Sequence, residues 1–237
     1  MNKSVYLFVL TVVTIFVIIA GTFKQYVHLG ISPKEEIVSS IDESVTSINI
    51  DAKAMDITIK VGAPSIRLSG NSDYFPTYDI DDDRLTITQN EMSHVVVKST
   101  VKLTLTLSQT QLKSLNIQMN AGDIRIENID TSYTSINDNA GDVKVMDAKL
   151  GQTVIQLNAG DVKLNGTIFT NFTVNNNAGD IKINDIPEFK KYDVRLSTSV
   201  GDIKVNGDKL KSPYQQIGNN DYFIDISTNL GDIKISS

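Results

Sequence analysis

The chain contains no cysteine and no tryptophan, and it has only two histidines among its 237 residues. Without cysteine there can be no disulfide, no thiol nucleophile, no thiolate metal site and no lipidated cysteine of the lipoprotein type. The histidines, His28 and His94, are far apart in the sequence and belong to no metal-spaced cluster. Gly-x-Ser-x-Gly and phosphate-loop motifs are also missing. The sequence therefore gives little support to catalysis.

Positive charge and aromatic residues are also scarce. The chain has 22 Lys and Arg against 28 Asp and Glu, which gives a formal net charge of −6. Nucleic-acid binding needs clustered cations that neutralise phosphates, so this balance argues against nucleic acid and leaves room for a cationic partner. Aromatic residues are 7% of the chain, whereas β-helix enzymes that cleave polysaccharides need an aromatic groove that holds sugar. Such an enzyme is the weaker alternative to a binding protein.

One long apolar run is present, at the N-terminus. It extends from Val5 to Phe23 without a charged residue, about the length that a helix needs to cross ~30 Å of hydrocarbon. We expect residues 1–24 to form a short cytoplasmic tip and an uncleaved transmembrane anchor, with the rest of the chain outside the cell. A cleaved signal peptide is the alternative, although Ile18-Ile19-Ala20 lacks the small residue expected before a cleavage site.

The segment after the anchor carries a helix-start signal. Ser32-Pro33-Lys34-Glu35 combines an N-cap serine, a proline at the first helical position and an acid at the third, which predicts a short stalk helix to about Ser40. The predicted divisions are 1–24 for the anchor, 25–44 for the stalk or linker, and 45–237 for one β domain, with irregular coils at 45–112 and regular repeats at 113–237.

The second half of the chain repeats Asn-Ala-Gly-Asp every 19 residues, and two looser copies follow at longer intervals. Each copy leads into residues that alternate between apolar and charged, as in Ile124-Arg125-Ile126. A fixed period with one corner per repeat predicts an all-β, single-stranded parallel β-solenoid (β-helix) with coils of about 19 residues. The corner residues are Gly122, Asp123, Gly141, Asp142, Gly160, Asp161, Gly179, Asp180, Gly201, Asp202, Gly231 and Asp232.

Alignment on the corner glycine places apolar residues in four columns. In the first regular repeat these columns contain Leu115, Ile117, Ile124 and Ile126. Because side chains alternate along a strand, all four columns face one side, which we expect to be the interior. Each coil then buries its apolar side only by stacking on the next coil, about 4.8 Å away. An earlier, degenerate coil has Met55 in place of the glycine.

The repeated polar residues have a structural and a metal-binding interpretation. The glycine is expected to have a positive φ, and the asparagine three places before each aspartate is expected to stack into an amide ladder. Stacked aspartates repel one another, and Gly-Asp repeats of a shorter period bind Ca²⁺ in other solenoids. Here, however, a Lys or Arg follows each aspartate two residues later. Ca²⁺ takes roughly six to eight oxygen ligands, so we favour paired charges over a metal ladder and expect no cofactor.

The first break in the regularity is Gly70–Asp83, which is acidic and aromatic. Loops on a rigid scaffold commonly carry binding residues, so this segment is the predicted acceptor for a cationic amphipathic peptide. Its acids lack the glycine and closing glutamate of an EF-hand, which disfavours Ca²⁺. The alternative is a solvated turn with half-buried aromatic residues. The predicted contact residues are Asp73, Tyr74, Phe75, Tyr78, Asp81, Asp82 and Asp83.

The second break, Asp208–Tyr222, lengthens the interval before the last repeat and is predicted to form a turn-like side loop. After it, the chain ends in Gly231–Ser237 with no evident cap. A solenoid that ends in this way leaves a strand edge open, and open edges pair with other chains. We therefore expect the last strand to contact an envelope protein or a second copy of this chain.

The strand Leu103–Leu107, the approach Leu112–Leu115 and the serial Gly-Asp turns resemble an adhesin-like bacterial β-helix family of unknown function. That family includes LiaG- and LiaX-type cell-envelope stress proteins. The similarity spans about Val45 to the end of the chain, and the single anchor is similar to the LiaG-type layout. The resemblance implies an extracytoplasmic β-helix that is tied to envelope stress and, in some members, to the sensing of antimicrobial peptides. It implies no catalytic residues.

These observations predict a membrane-anchored, extracytoplasmic binding or scaffold protein of the envelope-stress response. Its expected partners are the membrane, an envelope protein, a cationic peptide or a copy of itself, and not nucleic acid. The main alternative is a structural or adhesive surface module that acts through its open strand edge. A wall-polysaccharide enzyme is the weaker alternative.

Overall fold

Alternating apolar and polar residues form β-strands along nearly all of the chain that the structure describes. The structure is a computed structural model, and it describes residues 34–41, 45–90, 101–108, 110–218 and 222–237. These residues form twenty strands and two 3₁₀ turns, so the predicted all-β class is confirmed. No helix among them is long and apolar enough to cross a membrane, and the predicted anchor lies outside the described residues.

The strands are β1 (Lys34–Ser40), β2 (Ser47–Val61), β3 (Ser65–Asn71), β4 (Thr77–Asp81), β5 (Arg84–Thr88), β6 (Val101–Leu107), β7 (Gln111–Ala121), β8 (Ile124–Glu127), β9 (Asp130–Ala140), β10 (Val143–Met146), β11 (Lys149–Ala159), β12 (Val162–Asn165), β13 (Ile168–Ala178), β14 (Ile181–Asn184), β15 (Asp193–Val200), β16 (Ile203–Val205), β17 (Asp208–Leu210), β18 (Tyr214–Gln216), β19 (Phe223–Leu230) and β20 (Ile233–Ile235). The 3₁₀ turns are Ser72–Tyr74 and Phe189–Lys191.

Each regular coil consists of a long strand, a Gly-Asp corner, a short strand and a second corner, as in β11 and β12. The long strands pair in parallel in one sheet, the long-strand sheet, and the short strands pair in parallel in another, the short-strand sheet. Ile155 lies between Ile136 and Val174, each 19 residues away in the sequence. The predicted parallel stacking is therefore present in the regular coils.

The second corner of each regular coil contains a residue with a left-handed backbone. Asn128, Asp147, Gly166 and Asp185 have φ values of 56°, 50°, 56° and 59°. Asparagine, aspartate and glycine adopt this conformation most readily, so the residue type suits the turn that returns the chain to the next long strand.

The spatial order of the coils differs from their order in the chain at both ends. The first coil, β2, runs as one continuous strand through both sheets and lies between β5–β6 and β7–β8. The last coil, β19–β20, lies between β13–β14 and β15–β16. The long-strand sheet has the order β4-β5-β2-β7-β9-β11-β13-β19-β15-β18. The short-strand sheet has the order β1-β3-β6-β2-β8-β10-β12-β14-β20-β16-β17.

The predicted open edge at the end of the chain is therefore wrong. Ile233 pairs with Ile181 on one side and with Ile203 on the other. The described part of the predicted side loop Asp208–Tyr222 contains β17 and β18, which pair antiparallel with β16 and β15. A coil placed last would expose its backbone N–H and C=O groups. The chain instead inserts its final coil and covers the β15–β16 coil with two short strands.

The predicted stalk helix is also wrong where the structure describes it. Lys34–Ser40 forms β1, which pairs with β3. Ile37 and Val38 are β-branched and favour an extended backbone. Glu36 of β1 accepts a hydrogen bond from Arg67 of β3 at 2.8 Å. Strand pairing beside the stack therefore outweighs the local helix-start signal.

The predicted apolar columns face the interior. Ile117 and Ile124 are only 2% and 1% exposed. Thr134 and Thr153 occupy the column of Leu115 in the next two coils and are also buried, and a fully buried phenylalanine, Phe172, follows in the coil after them. The large ring beside the two small side chains keeps the interior filled, as close packing requires.

The inserted position of the last coil can be tested by cross-linking, because the chain has no native cysteine. Ser227 Oγ lies 2.8 Å from Asn175 Oδ1 on neighbouring strands, so Asn175→Cys with Ser227→Cys is expected to form a disulfide in air. Asn175→Cys with Ser197→Cys is the matched control, and it should stay reduced because β19 separates the two positions. The measurement is peptide mapping by mass spectrometry. A disulfide in the control pair alone would mean that the coils stack in chain order.

Candidate functional site

The Gly-Asp corners are positioned by a close approach between successive coils. At Gly160, a Cβ atom would lie 1.9 Å from the carbonyl oxygen of Gly141. The Gly160 N–H donates to the carbonyl of Ala178 in the next coil at 2.9 Å. Glycine is therefore required by contact as well as by backbone conformation. The predicted positive φ is found at Gly122, Gly160, Gly179, Gly201 and Gly231. It is wrong at Gly141, where the contact alone requires glycine, because a Cβ there would lie 1.9 Å from the carbonyl oxygen of Gly122.

The corner aspartates belong to the hydrogen-bond network of the backbone. The Asp142 N–H donates to Asp123 Oδ1 at 3.0 Å. Because every corner carboxylate except that of Asp202 accepts an N–H from the adjacent coil, repulsion along the column is offset by hydrogen bonds to the charged form. The same bond joins the remaining corners in the spatial order Asp142, Asp161, Asp180, Asp232 and Asp202.

Basic side chains pair with the corner aspartates at only some of the corners. Lys163 Nζ lies 2.9 Å from Asp161 Oδ2, and this hydrogen bond is the main reason that the pKa of Asp161 is lowered. The pKa of Asp232 is lowered chiefly by the backbone N–H that it accepts. Arg125 pairs with Glu127 and not with its corner aspartate. In the part of the chain that the structure describes, no group of three or more His, Asp or Glu is arranged to hold a metal ion.

The asparagines form the predicted amide ladder. Asn139 Nδ2 donates to Asn120 Oδ1 at 3.1 Å, and Asn158 Nδ2 donates to Asn139 Oδ1 at 2.7 Å. Asn177 continues the ladder with a bond to Asn158 of 2.8 Å. Asn139, Asn158 and Asn177 each donate one of their two N–H groups to the ladder, which fixes the orientation of the amide, and these side chains are exposed.

The predicted peptide-binding segment does not form one exposed surface. Tyr74 and Phe75 pack against the core. Asp83 accepts hydrogen bonds from Lys113 Nζ at 2.7 Å and from the Thr46 hydroxyl, and these bonds, that of Lys113 first, hold the pKa of its carboxyl below the usual range. The predicted contact residues that stay exposed are Asp73, Tyr78, Asp81 and Asp82.

The exposed part of the segment belongs to an edge strand. β4 pairs antiparallel with β5, with Tyr78 opposite Ile87, and it has no second partner strand among the described residues. Asp79 and Asp81 are exposed, whereas Ile80 between them packs against the core. Asp79 is absent from the predicted contact residues, although its period-2 alternation with Asp81 places it on the same outward face. Two carboxylates therefore flank an available strand edge.

A second feature, which the sequence analysis missed, is a buried polar column beside the corners. Asn176 Nδ2 donates to the Gly160 carbonyl at 2.9 Å, and Thr198 Oγ1 donates to the Gly231 carbonyl at 2.9 Å. These side chains lie in one inward-facing column. Each donor thus binds the glycine carbonyl of an adjacent coil. The close approach of the corners leaves that carbonyl facing the interior.

Asp138 occupies the same column two coils from Asn176 and is 1% exposed. Its Oδ1 accepts the Ala140 N–H at 3.3 Å, whereas its Oδ2 has no partner. Burial raises the pKa of Asp138 to about 6. By the repeat, the acceptor that corresponds to Gly160 is the Gly122 carbonyl. A carboxylate cannot donate to a carbonyl as Asn176 does, and burial disfavours its charged form, so this position favours the neutral acid.

Comparison with known proteins identifies the fold. Residues 45–212 match the toastrack family (DUF4097). A crystal structure of a candidate adhesin from Bacteroides fragilis aligns with 85% of this chain and 96% of its own, with a TM-score of 0.53 and 18% identity. A candidate cell adhesion protein from Clostridium sporogenes aligns with 86% of this chain and 99% of its own, with a TM-score of 0.45 and 14% identity. No curated protein sequence matches significantly.

The Asp138 interpretation predicts a stability that depends on pH. The pKa of the Asp138 carboxyl is raised from 3.8 to about 6 in the folded chain, so its contribution to the free energy of unfolding is fully present below pH 4 and is lost as the pH rises through 6. Asp138→Asn supplies a permanent donor and should raise the free energy of unfolding near pH 7 by up to about 3 kcal/mol. Thermal unfolding of both proteins between pH 4 and 7, followed by circular dichroism, measures the difference.

Asp147→Asn is the matched control for this experiment. Asp147 is exposed, and asparagine suits its left-handed backbone equally well. This substitution should leave the pH profile of unfolding unchanged. Parallel profiles for the original chain and Asp138→Asn would contradict the interpretation.

Proposed function

We propose that this chain, which belongs to the toastrack family, is a non-catalytic binding module on the outer side of the cell membrane. The charge-free apolar run Val5–Phe23 supports a membrane anchor. The resemblance to LiaG- and LiaX-type proteins supports a role in the response to cell-envelope stress. The Bacteroides fragilis neighbour, described as a candidate adhesin, supports a function in surface contact.

The observation that carries the proposal is the acidic edge of β4. An extended peptide can add to an exposed strand edge through main-chain hydrogen bonds, while its side chains give specificity. Asp79 and Asp81 lie exposed on this edge, and Tyr78 is 40% exposed beside them. A peptide that alternates cationic and apolar residues would place its cations against the carboxylates and its apolar groups near the ring. The proposed ligand is therefore a cationic peptide in extended conformation.

The same carboxylates disfavour pairing between copies of this chain. If two β4 edges met, Asp79 and Asp81 of both copies would be brought together, and like charges on paired strands are destabilising. An acidic edge thus disfavours binding of a second copy and favours binding of a cationic strand. Charge gives specificity here by repulsion as well as by attraction.

The second candidate function is an adhesive module that joins copies through a strand edge. The last strand cannot serve, because it is paired on both sides. β1 offers a different edge, on which Ile37 is 45% exposed and Val38 is 55% exposed. Self-association that is lost in Val38→Lys, together with no peptide binding, would favour this candidate over the first.

Calorimetry can test the peptide proposal with the full chain in zwitterionic nanodiscs and empty nanodiscs as the blank. A short synthetic peptide of alternating Lys and Val is expected to bind with an affinity that falls as salt is raised. Asp79→Asn combined with Asp81→Asn should weaken binding by roughly twofold to thirtyfold, because exposed ion pairs contribute about 0.2–1 kcal/mol each.

The matched control is Asp147→Asn with Asp185→Asn, which removes the same charge at two exposed corners away from β4. It should bind the peptide as the original chain does. Equal weakening in both double variants would mean that the peptide responds only to net charge, and would overturn the assignment to β4.

A further inference from the structure

The outward face of the long-strand sheet bears no charged side chain across four consecutive coils. We call this surface the amide face, and it consists of the outward residues of 114–120, 133–139, 152–158 and 171–177. Of its sixteen outward residues, eleven are Asn or Gln. They form a grid of four columns and four coils, about 4.8 Å apart between coils and about 7 Å apart along a strand.

The absence of charge is a property of this face and not of the chain, in which 21% of residues are charged. The outward column of the short-strand sheet in the same four coils contains Arg125, Lys144, Lys163 and Lys182. Charged ligands would find no complementary group on the amide face. Amides both donate and accept hydrogen bonds, so they match an uncharged ligand that is rich in hydroxyl groups.

One column of the amide face is also held rigid. The ladder that runs from Asn120 to Asn177 uses one N–H of each donating amide and leaves the other toward solvent. Side chains that are already fixed lose little conformational freedom on binding. A row of oriented donors at the coil spacing thus suits a polymer that lies along the stack and repeats its polar groups.

Exposed aromatic rings lie in the outermost column on the side opposite the asparagine ladder. Tyr133 is 37% exposed, and Phe223 is 40% exposed in the same column three coils further along, on β19, which lies one coil beyond the amide face and has Asp225 as its next outward residue. They are therefore about 14 Å apart. The aliphatic C–H faces of sugar rings pack on aromatic rings, and amide groups between them can bind the sugar hydroxyls. Gln152 and Asn171 occupy the two intervening places in this column; Gln152 is exposed, whereas Oδ1 of Asn171 is buried without a hydrogen-bond partner.

We propose that the amide face binds a neutral polysaccharide chain that lies along the stack, with sugars packed on Tyr133 and Phe223. A second copy of this chain fits the surface less well. Four coils of seven residues cover only about 400 Å², whereas a stable protein–protein interface buries about 800 Å² from each partner. The proposal is independent of the peptide site, because β4 lies at the end of the stack and not on this face.

The test uses the full chain in nanodiscs and a panel of neutral oligosaccharides that includes hexamers of β-1,4-linked glucose, β-1,4-linked N-acetylglucosamine and α-1,6-linked mannose. At least one is expected to bind saturably in calorimetry, with an affinity that salt does not change. Tyr133→Ala should weaken this binding at least tenfold, and Gln156→Glu, which places a charge in the centre of the face, should do the same.

Matched controls lie off the face. Tyr78→Ala removes an equally exposed ring from β4, and Gln215→Glu adds the same charge on β18. Both should bind the oligosaccharide normally, and Gln156→Glu should keep the circular dichroism spectrum and the unfolding temperature of the original chain, so no control depends on the peptide. Failure of the peptide experiment therefore leaves this test intact.

Three results would overturn the proposal. The first is no binding to any neutral oligosaccharide, and the second is binding only to an anionic polymer, such as polygalacturonate, that salt abolishes. The third is a dimer of this chain that Gln156→Glu dissociates, which would make the amide face an interface between copies.

Discussion

Backbone hydrogen bonds between neighbouring coils hold this fold together, so every coil needs a partner on both sides. A strand left at an edge exposes N–H and C=O groups that pair readily with other chains. The chain meets this constraint in the same way at its two ends. Its first and last coils lie one place inside the stack. The outermost coils are covered by the antiparallel strands β3, β4, β17 and β18.

The close approach at the Gly-Asp corner sets the spacing on which the surfaces depend. Since the Gly141 carbonyl lies where a Cβ of Gly160 would be, a larger residue there would push the coils apart. Because the spacing is constant, residues of the same type lie in register in successive coils. Cations therefore form a column on the short-strand sheet, and amides form columns on the long-strand sheet. The two proposals assign a cationic peptide to an acidic edge and a neutral polysaccharide to an uncharged face. One stack thus presents two chemically distinct surfaces.

The sequence predicted what repeats and misjudged what does not. The inward columns and the amide ladder follow from a fixed period, which the alignment on glycine makes visible. The coil order does not follow from the period, because Ile233 is equally suited to a place beside Ile181 or at the end of the stack. The free-energy cost of an unpaired strand edge decides between the two positions. The acidic segment was located, but Asp83 is hydrogen-bonded to Lys113, and Tyr74 and Phe75 are half-buried against the core. Those contacts are tertiary and leave no local pattern.

Amide hydrogen exchange in the last strand tests the inserted coil most directly. The Ile233 N–H donates to the Asp202 carbonyl of the β15–β16 coil at 2.9 Å, and this bond requires that coil to lie outside β20. The account predicts that the amides of Ile233 and Ile235 exchange as slowly as that of Ile183, which lies in the middle of the sheet. Exchange of Ile233 and Ile235 at the rate of unprotected amides, with Ile183 still protected, would show that the last strand is a free edge and would contradict the account.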